Sequence, residues 1–576
     1  MLAQLLLLLL AVLQQAAPLP ASASQATASP ASASFRISGR VIDAVTGQPL
    51  SRAQVSLTLS NSQSTPNAAS PANSPDSVRI EVTDPEGSFA FAGLPQGKYI
   101  LSARRRGYIA QMYQQHEGFT TAIVAAPGLD SENLIFGLRP TASISGTVTD
   151  ESGDGVRHAQ VMLFRQILTG GRLRTIQIRQ ASTDDEGHYH LGHLSEGVYF
   201  VCVSARPWYA QHNPKHQFVP NGEGIAANAD GNGTPTEGSL ESVPDAHNQL
   251  LDVVYPVTFF PNANDLASAA PISIHSGDME TADFRLRPIP ALHVLVRTPV
   301  GDPNHGLRVQ VMQPVADNSA VPVSVGYTRL SPGLMEVTGV PPGRFNLAVG
   351  SSNGTEWTHR SQSLQVSVDT EVDTTQTSSL IVSGLLKMDD GSAVPQPARL
   401  YLRSSARGEG FNTQVSSTGE FTFKNNPVEA GEFEIMITEP QGVFIRNLAA
   451  IGAKTSSRSF KIESPQDVIL TVTASQGTGR ITGFALKNDK PASGVMVVLA
   501  PEDLRGNPAL FRRDQSDSDG SFTLRSIVPG GYTLMAIEDG WILEWENPDV
   551  LKRFLADGES LQIPPNGKLE LKVKVQ

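Results

Sequence analysis

Three stretches of this sequence superpose without a gap: DPEGSFAFAGLPQGKY (Asp84 to Tyr99), DDEGHYHLGHLSEGVY (Asp184 to Tyr199) and DSDGSFTLRSIVPGGY (Asp517 to Tyr532). Their common pattern is D-x-[DE]-G-x-[FY]-x-[FL]-x-x-[LI]-x-x-G-x-Y. Two looser copies keep the frame, SPGLMEVTGVPPGRF (Ser331 to Phe345) and STGEFTFKNNPVEAGEF (Ser417 to Phe433), the latter with two extra residues before its second Gly. A chain with five such copies is built from one modest unit used five times.

The pattern describes a β-hairpin. Asp or Ser with Gly makes a tight turn, after which Phe89 and Phe91 alternate with small or polar residues, the period of a strand with one buried face. A second turn closes on Gly97, and Tyr99 and Leu101 begin the returning strand on the same parity. Tyr199 and Val201, Phe345 and Leu347, Phe433 and Ile435, and Tyr532 and Leu534 repeat that step. About 45 residues upstream of each hairpin turn lies a second alternating pair: Ile37 to Leu57, Ile144 to Leu163, Ile481 to Leu499, and weaker copies near Leu292 and Ile381. About seven short strands in each unit, with frequent turns, predict an all-β chain: a tandem array of about five Greek-key, seven-stranded β-sandwiches, strung one after another. The repeat frame sets the units at 35–140, 141–289, 290–377, 378–477 and 478–576. Residues 206–248 in the second unit are rich in Gly, Asn and Pro and are expected to be a disordered or lid-like insertion, with a smaller one at Asn61 to Asp76. One short helix is expected, Pro548 to Ala556, with Asn547 as N-cap and Pro548 at its first position.

Charged residues make up 17% of the 576, while Gly and Pro number 50 and 40, a balance that favours turns over long surface helices. A net charge of −12 lacks the basic field that nucleic acid attracts, so no nucleic-acid partner is expected. The single cysteine, Cys202, excludes an intrachain disulfide and a thiolate cluster. Leu5 to Leu13 is an apolar run too short to span a bilayer and is followed by a tract of small residues. It reads as a signal peptide over 1–23, cleaved after Ala23, with 24–34 as an unstructured tether. Export to the periplasm, outer surface or medium follows, with no transmembrane span after cleavage.

The first unit also carries G-x-V-x-D-x-x-x-G-x-P-[LV]-x-x-A-x-V, through Val41, Asp43, Gly47, Pro49, Ala53 and Val55. Thr83, Gly87, Phe89, Leu94, Pro95, Gly97 and Tyr99 complete the pattern. In these residues the chain resembles carboxypeptidase regulatory-like domains, and the whole array is similar to secreted tandem-repeat acidobacterial proteins. The resemblance implies a transthyretin-like or immunoglobulin-like sandwich, carbohydrate-binding-like in fold. It also implies a non-catalytic module, since such domains are appended to peptidases, outer-membrane transporters and glycan-acting enzymes. Every matched residue is a turn or core position, so the resemblance names no site.

A search for chemistry finds little that catalysis needs. One H-x-x-E occurs, His193-Leu194-Ser195-Glu196, but on a hairpin turn and without the large α/β domain that a zinc carboxypeptidase requires. No H-E-x-x-H, G-x-S-x-G or phosphate loop is present, and no enzyme and no cofactor are expected. His188 and His190 share the outward face of one strand with His193 just beyond, close enough to hold a metal together or to be merely a polar outer face. Sugar-binding sandwiches stack pyranose rings on Trp or Tyr and fix hydroxyls with polar side chains. Trp541 and Trp545 with Glu544 and Glu546, Trp357, and Trp208 with Tyr209 are the candidates. Each Trp has a plain alternative, plugging the end of its own sandwich. Arg104, Arg105 and Arg106 read as a solvated strand edge, and Cys202 lies on the outward parity of its strand. A carbohydrate or a cell-envelope protein is the expected partner, with a purely structural or protein-interaction array as the rival.

Overall fold

The computed structural model describes residues 34–60, 78–169, 171–220, 238–243, 250–298, 308–316, 319–352, 357–375, 380–404, 410–428, 431–463, 466–505 and 508–576. The expected signal peptide, most of the tether and the Asn61 to Asp76 insertion lie outside these residues. The described chain is all-β apart from short helical turns and one helix, α1 (Pro548–Leu555).

The first unit shows the plan. Strand β1 (Phe35–Asp43) pairs antiparallel with β4 (Ser88–Leu94) and parallel with β8 (Leu134–Leu138). The facing sheet runs β3 (Val78–Val82), β2 (Gln54–Leu59), β5 (Gly97–Arg104) and β6 (Gln111–Met112), with β7 (Ile123–Ala125) also on β5. The same pairing recurs four times. The leading strands Ala142–Thr149, Leu292–Arg297, Leu380–Met388 and Gly479–Lys487 each take the hairpin strand antiparallel on one side and the unit's closing strand parallel on the other. Each of the five pairs of sheets encloses its own apolar core.

Backbone geometry shows why the repeat pattern holds. The turn glycines Gly87, Gly187, Gly333, Gly419 and Gly520 have φ between 75° and 89°, and the second-turn glycines Gly197, Gly343, Gly431 and Gly530 have φ between 153° and 156°. Side chains rarely enter either region, so the looser copies keep both glycines while letting the rest drift. The hairpin aromatics Phe89, Tyr189 and Phe522 are all buried. Behind the aromatic, on the leading strand, stands Gly146, Gly384 or Gly483; an added Cβ would come within 3.1 Å of the Tyr189, Phe421 or Phe522 ring. In the third unit the same pair is Val296 and Met335: a slimmer, pliable side chain opposite a larger one, so volume is conserved.

The units are not merely strung along. In the second unit the strand Gly197–Ser204 is buried on both faces over its last six residues. Its outward parity, with Phe200 and Cys202, meets Met162, Phe164, Val257 and Phe259 of the same unit, together with Val321 from the third unit, in a second core. Cys202 is thus fully buried rather than facing solvent, and burial raises its thiol pKa far above the ordinary value. In the fifth unit the strand Met496–Pro501 is buried at every residue. Its outward side chains Met496, Val498 and Ala500 pack with Phe511, Trp541, Trp545 and Leu551. The expected insertion is also more ordered than a loop: His216–Pro220 and Gly238–Ser242 form an antiparallel hairpin.

Candidate functional site

The expected groove around Trp541 and Trp545 is occupied by protein. Both rings are buried, at 8% and 6% exposure. The helix behind them forms as its sequence dictates: Asn547 accepts from the Asp549 amide and Pro548 sits in the first turn. That helix and a short 3-10 turn, Gly540–Ile542, lay the two indoles on the outer face of the fifth sandwich. The Trp541 Nε1 donates to the Gly494 carbonyl at 3.0 Å, and its ring stacks on His116 of the first unit, 5.1 Å between centroids and 5° between planes. Trp545 packs on Phe511, and the Arg513 guanidinium lies 4.2 Å from its ring centroid. Glu546 pairs with Arg172 of the second unit at 3.1 Å, while Glu544 is half-buried. These rings join units and leave no stacking face for a sugar.

They belong to a contact between the first and last sandwiches. Arg513 forks onto Glu117 of the first unit at 2.9 and 3.1 Å and lies over Phe119 and both indoles. Gln515 donates to the Gln114 carbonyl and to Thr121, 2.6 and 2.8 Å away. Asp517, which opens the repeat turn, accepts from the Ala122 amide at 3.0 Å and pairs with Lys98. Ser518 accepts from the Val124 amide at 2.8 Å and its own amide donates to the Ala122 carbonyl at 3.0 Å. Burial pushes the neighbouring Asp514 carboxyl up to about 6.

A second polar cluster, missed at the sequence level, joins the second and third units. His293, 1% exposed, hydrogen-bonds Glu336 through Nδ1 at 2.6 Å and Asp252 through Nε2 at 3.0 Å. His212 bonds the other Asp252 oxygen at 2.9 Å, and its buried Nε2 has no hydrogen-bond partner among the described residues. The Lys215 and His216 amides both donate to Glu336, at 2.9 and 3.1 Å. Burial of the His293 ring works against its charged form, but the hydrogen bonds that it donates to Asp252 and Glu336 outweigh this and raise its pKa above the ordinary value. The signal was present in LMEVTGV, where Glu336 is the one charged residue of the strand and stands on its outward parity. Such a residue is covered only if something charged covers it.

The remaining candidates are dispersed. His188 and His190 are exposed and bond Thr147 and Ser145 across the ladder, at 3.1 and 2.8 Å. His193 takes a left-handed turn conformation at φ 57°. Among the described residues no three His, Cys, Asp or Glu side chains are grouped to hold a metal, so this trio is not drawn together into a metal site. Glu196 of the H-x-x-E pairs with Arg139. Trp357 opens the strand Trp357–Val366, and its side chain lies outside what is described. Trp208 is 84% exposed and meets Tyr209 edge-on, 5.7 Å between centroids. Tyr209 and Tyr255 both donate to Glu151, at 2.5 and 2.8 Å, which anchors the base of this projection.

Residues 36–127, within the first sandwich, and 143–229, within the second, match the carboxypeptidase regulatory-like domain family. No curated protein matches. Among solved structures, the chain is similar to the minor pilin GBS52 of Streptococcus agalactiae, with 12% identity, 44% of this chain and 97% of that one covered, and a TM-score of 0.20. It is similar to a streptococcal ancillary pilin at 14% identity, covering 49% of this chain and 98% of that one, TM-score 0.17. The full-length major pilin RrgB of Streptococcus pneumoniae aligns at 8% identity over 93% of this chain and 99% of that one, TM-score 0.17.

Proposed function

We propose that this tandem carboxypeptidase regulatory-like domain protein is a non-catalytic adhesion or spacer module of the cell exterior, rigid rather than beaded, that presents binding surfaces on a fused scaffold. The observation that carries this reading is the burial between units. Outward sheet faces of the second and fifth sandwiches are converted to apolar cores, and the first sandwich is bonded to the fifth through Arg513, Gln515, Asp517 and Ser518. Such investment in relative position serves a protein whose task is geometry. The described residues include no helix long and apolar enough to cross a membrane, and export rests on the apolar leader.

Carbohydrate is the favoured ligand class, and Trp208 is the observation that favours it. An indole held 84% exposed beside a Tyr clamped by Glu151 presents a flat apolar face with polar neighbours, the mixture that a pyranose requires. Titration of the chain with soluble polysaccharides, followed by tryptophan fluorescence, tests it. A saturable shift abolished by Trp208→Ala, with unchanged melting, supports the reading. No shift for any polysaccharide leaves the protein-interaction array.

A further inference from the structure

We propose that the cleft between the fourth and fifth sandwiches is a binding site for a small organic carboxylate with an apolar body, its carboxylate held by Arg458 in the field of Arg512 and Arg403. The cleft has a volume of about 430 Å³. Its apolar walls are Met436 and Phe444 from the fourth unit and Phe511 and Val528 from the fifth. All three arginines line it, in a chain whose net charge is −12.

The three cations differ in what they have left to offer. Arg403 is bound to Glu434. Arg512 donates only to carbonyl oxygens, those of Ala509, Phe511, Arg525 and Ser526, so all three of its nitrogens are engaged while its charge meets no carboxylate among the described residues. Arg458 is half-buried, and among the described residues its guanidinium makes no hydrogen bond and no ion pair; only the charges of Glu434 and Arg512 and the Tyr532 phenol act on it. A guanidinium in a cleft with its whole planar fork unspent fits a carboxylate, which it grips through two parallel bonds. Burial and the repulsion of Arg512 lower the Arg458 pKa from its ordinary value, and a bound anion relieves both. The walls set the rest of the ligand: aromatic and aliphatic side chains on both sides favour an apolar body over a bare inorganic anion.

The probe is phenylacetate, titrated calorimetrically into the full chain, with phenylacetamide and inorganic phosphate as controls. Saturable phenylacetate binding at least tenfold tighter than that of the amide is expected, with phosphate weaker than phenylacetate and binding reduced at least tenfold in Arg458→Met. Equal affinity for acid and amide overturns the carboxylate role. Phosphate binding tighter than phenylacetate overturns the ligand class, and binding unchanged in a folded Arg458→Met variant overturns the residue assignment. Should that variant not fold, the acid-to-amide ratio on the unaltered chain decides, and Arg458→Lys, which keeps the charge and loses the fork, is expected to weaken phenylacetate severalfold.

Discussion

Tyr99, Tyr199 and Tyr532 each donate their hydroxyl to the carbonyl four residues back, at 2.5 to 2.8 Å, while the looser repeats put Phe345 and Phe433 in that place. Tyr99→Phe should therefore cost its unit about 1 kcal/mol, the net worth of one hydrogen bond, whereas Phe89, Tyr189 or Phe522 changed to Ala should cost about 3–5 kcal/mol. Melting of the isolated repeat variants within the full chain, read by calorimetry, separates the two sizes. Titration gives two further expectations. His293 is raised, so its bonds to Asp252 and Glu336 are at full strength below the unfolded pKa near 6.5 and weaken as pH rises through the folded value. Hydrogen-exchange protection of the Lys215 and His216 amides, corrected for intrinsic rate, should fall from pH 6 to 8.5, and His293→Gln should flatten that fall. Asp514 is also raised, but as a carboxyl it costs stability once ionised, so that loss comes between about pH 4 and its folded value of about 6. Asp514→Asn should remove this lower window alone.

At the level of strands and turns, the sequence reports what repeats and hides what meets. The two glycines of each hairpin, the aromatic alternation and the capped helix after Asn547 were all legible, because each is fixed by backbone sterics or by one buried face. The covering of outward faces was not, although a trace was written: Met496–Pro501 (MVVLAP) lacks the alternation of a one-sided strand, and a continuous apolar run marks burial on both faces. For Trp541 and Trp545 the plugging alternative prevails over the sugar groove for that reason. Their loop position suggested exposure, yet the face beneath them needed covering and His116 and Phe119 arrived from the first unit. Trp208 stays out. Arg513→Ala removes the fork onto Glu117 and the cation over both indoles together. Faster exchange of the Ala122 and Val124 amides is expected, with the exchange of the first unit's own β1 and β4 unchanged.

The whole molecule should scatter as one body. A compact chain of this length has a radius of gyration of roughly 24 Å, against roughly 50 Å for five such sandwiches laid end to end. Small-angle scattering of the chain near the smaller value supports a fused scaffold; a value near the larger one would overturn the contact between first and last units. That contact joins residues 394 to 423 positions apart in the sequence. During synthesis Lys98, His116 and Phe119 leave the ribosome hundreds of residues before Asp517 and Trp541 exist. The first sandwich can fold on local contacts, but the surface meant for its distant partner must wait in water, and closing so long a segment carries an entropic cost that short hairpins escape. The order of assembly is therefore dictated by chemistry: five independent collapses, then the neighbour-to-neighbour seams, and last the contact through Arg513. On the export proposed above, a chain that reaches its compartment before that last step arrives as an open form, with His116 and Phe119 bare and the outer face of the fifth unit only partly covered. In that interval it is most exposed to proteases and to pairing with the wrong copy of itself.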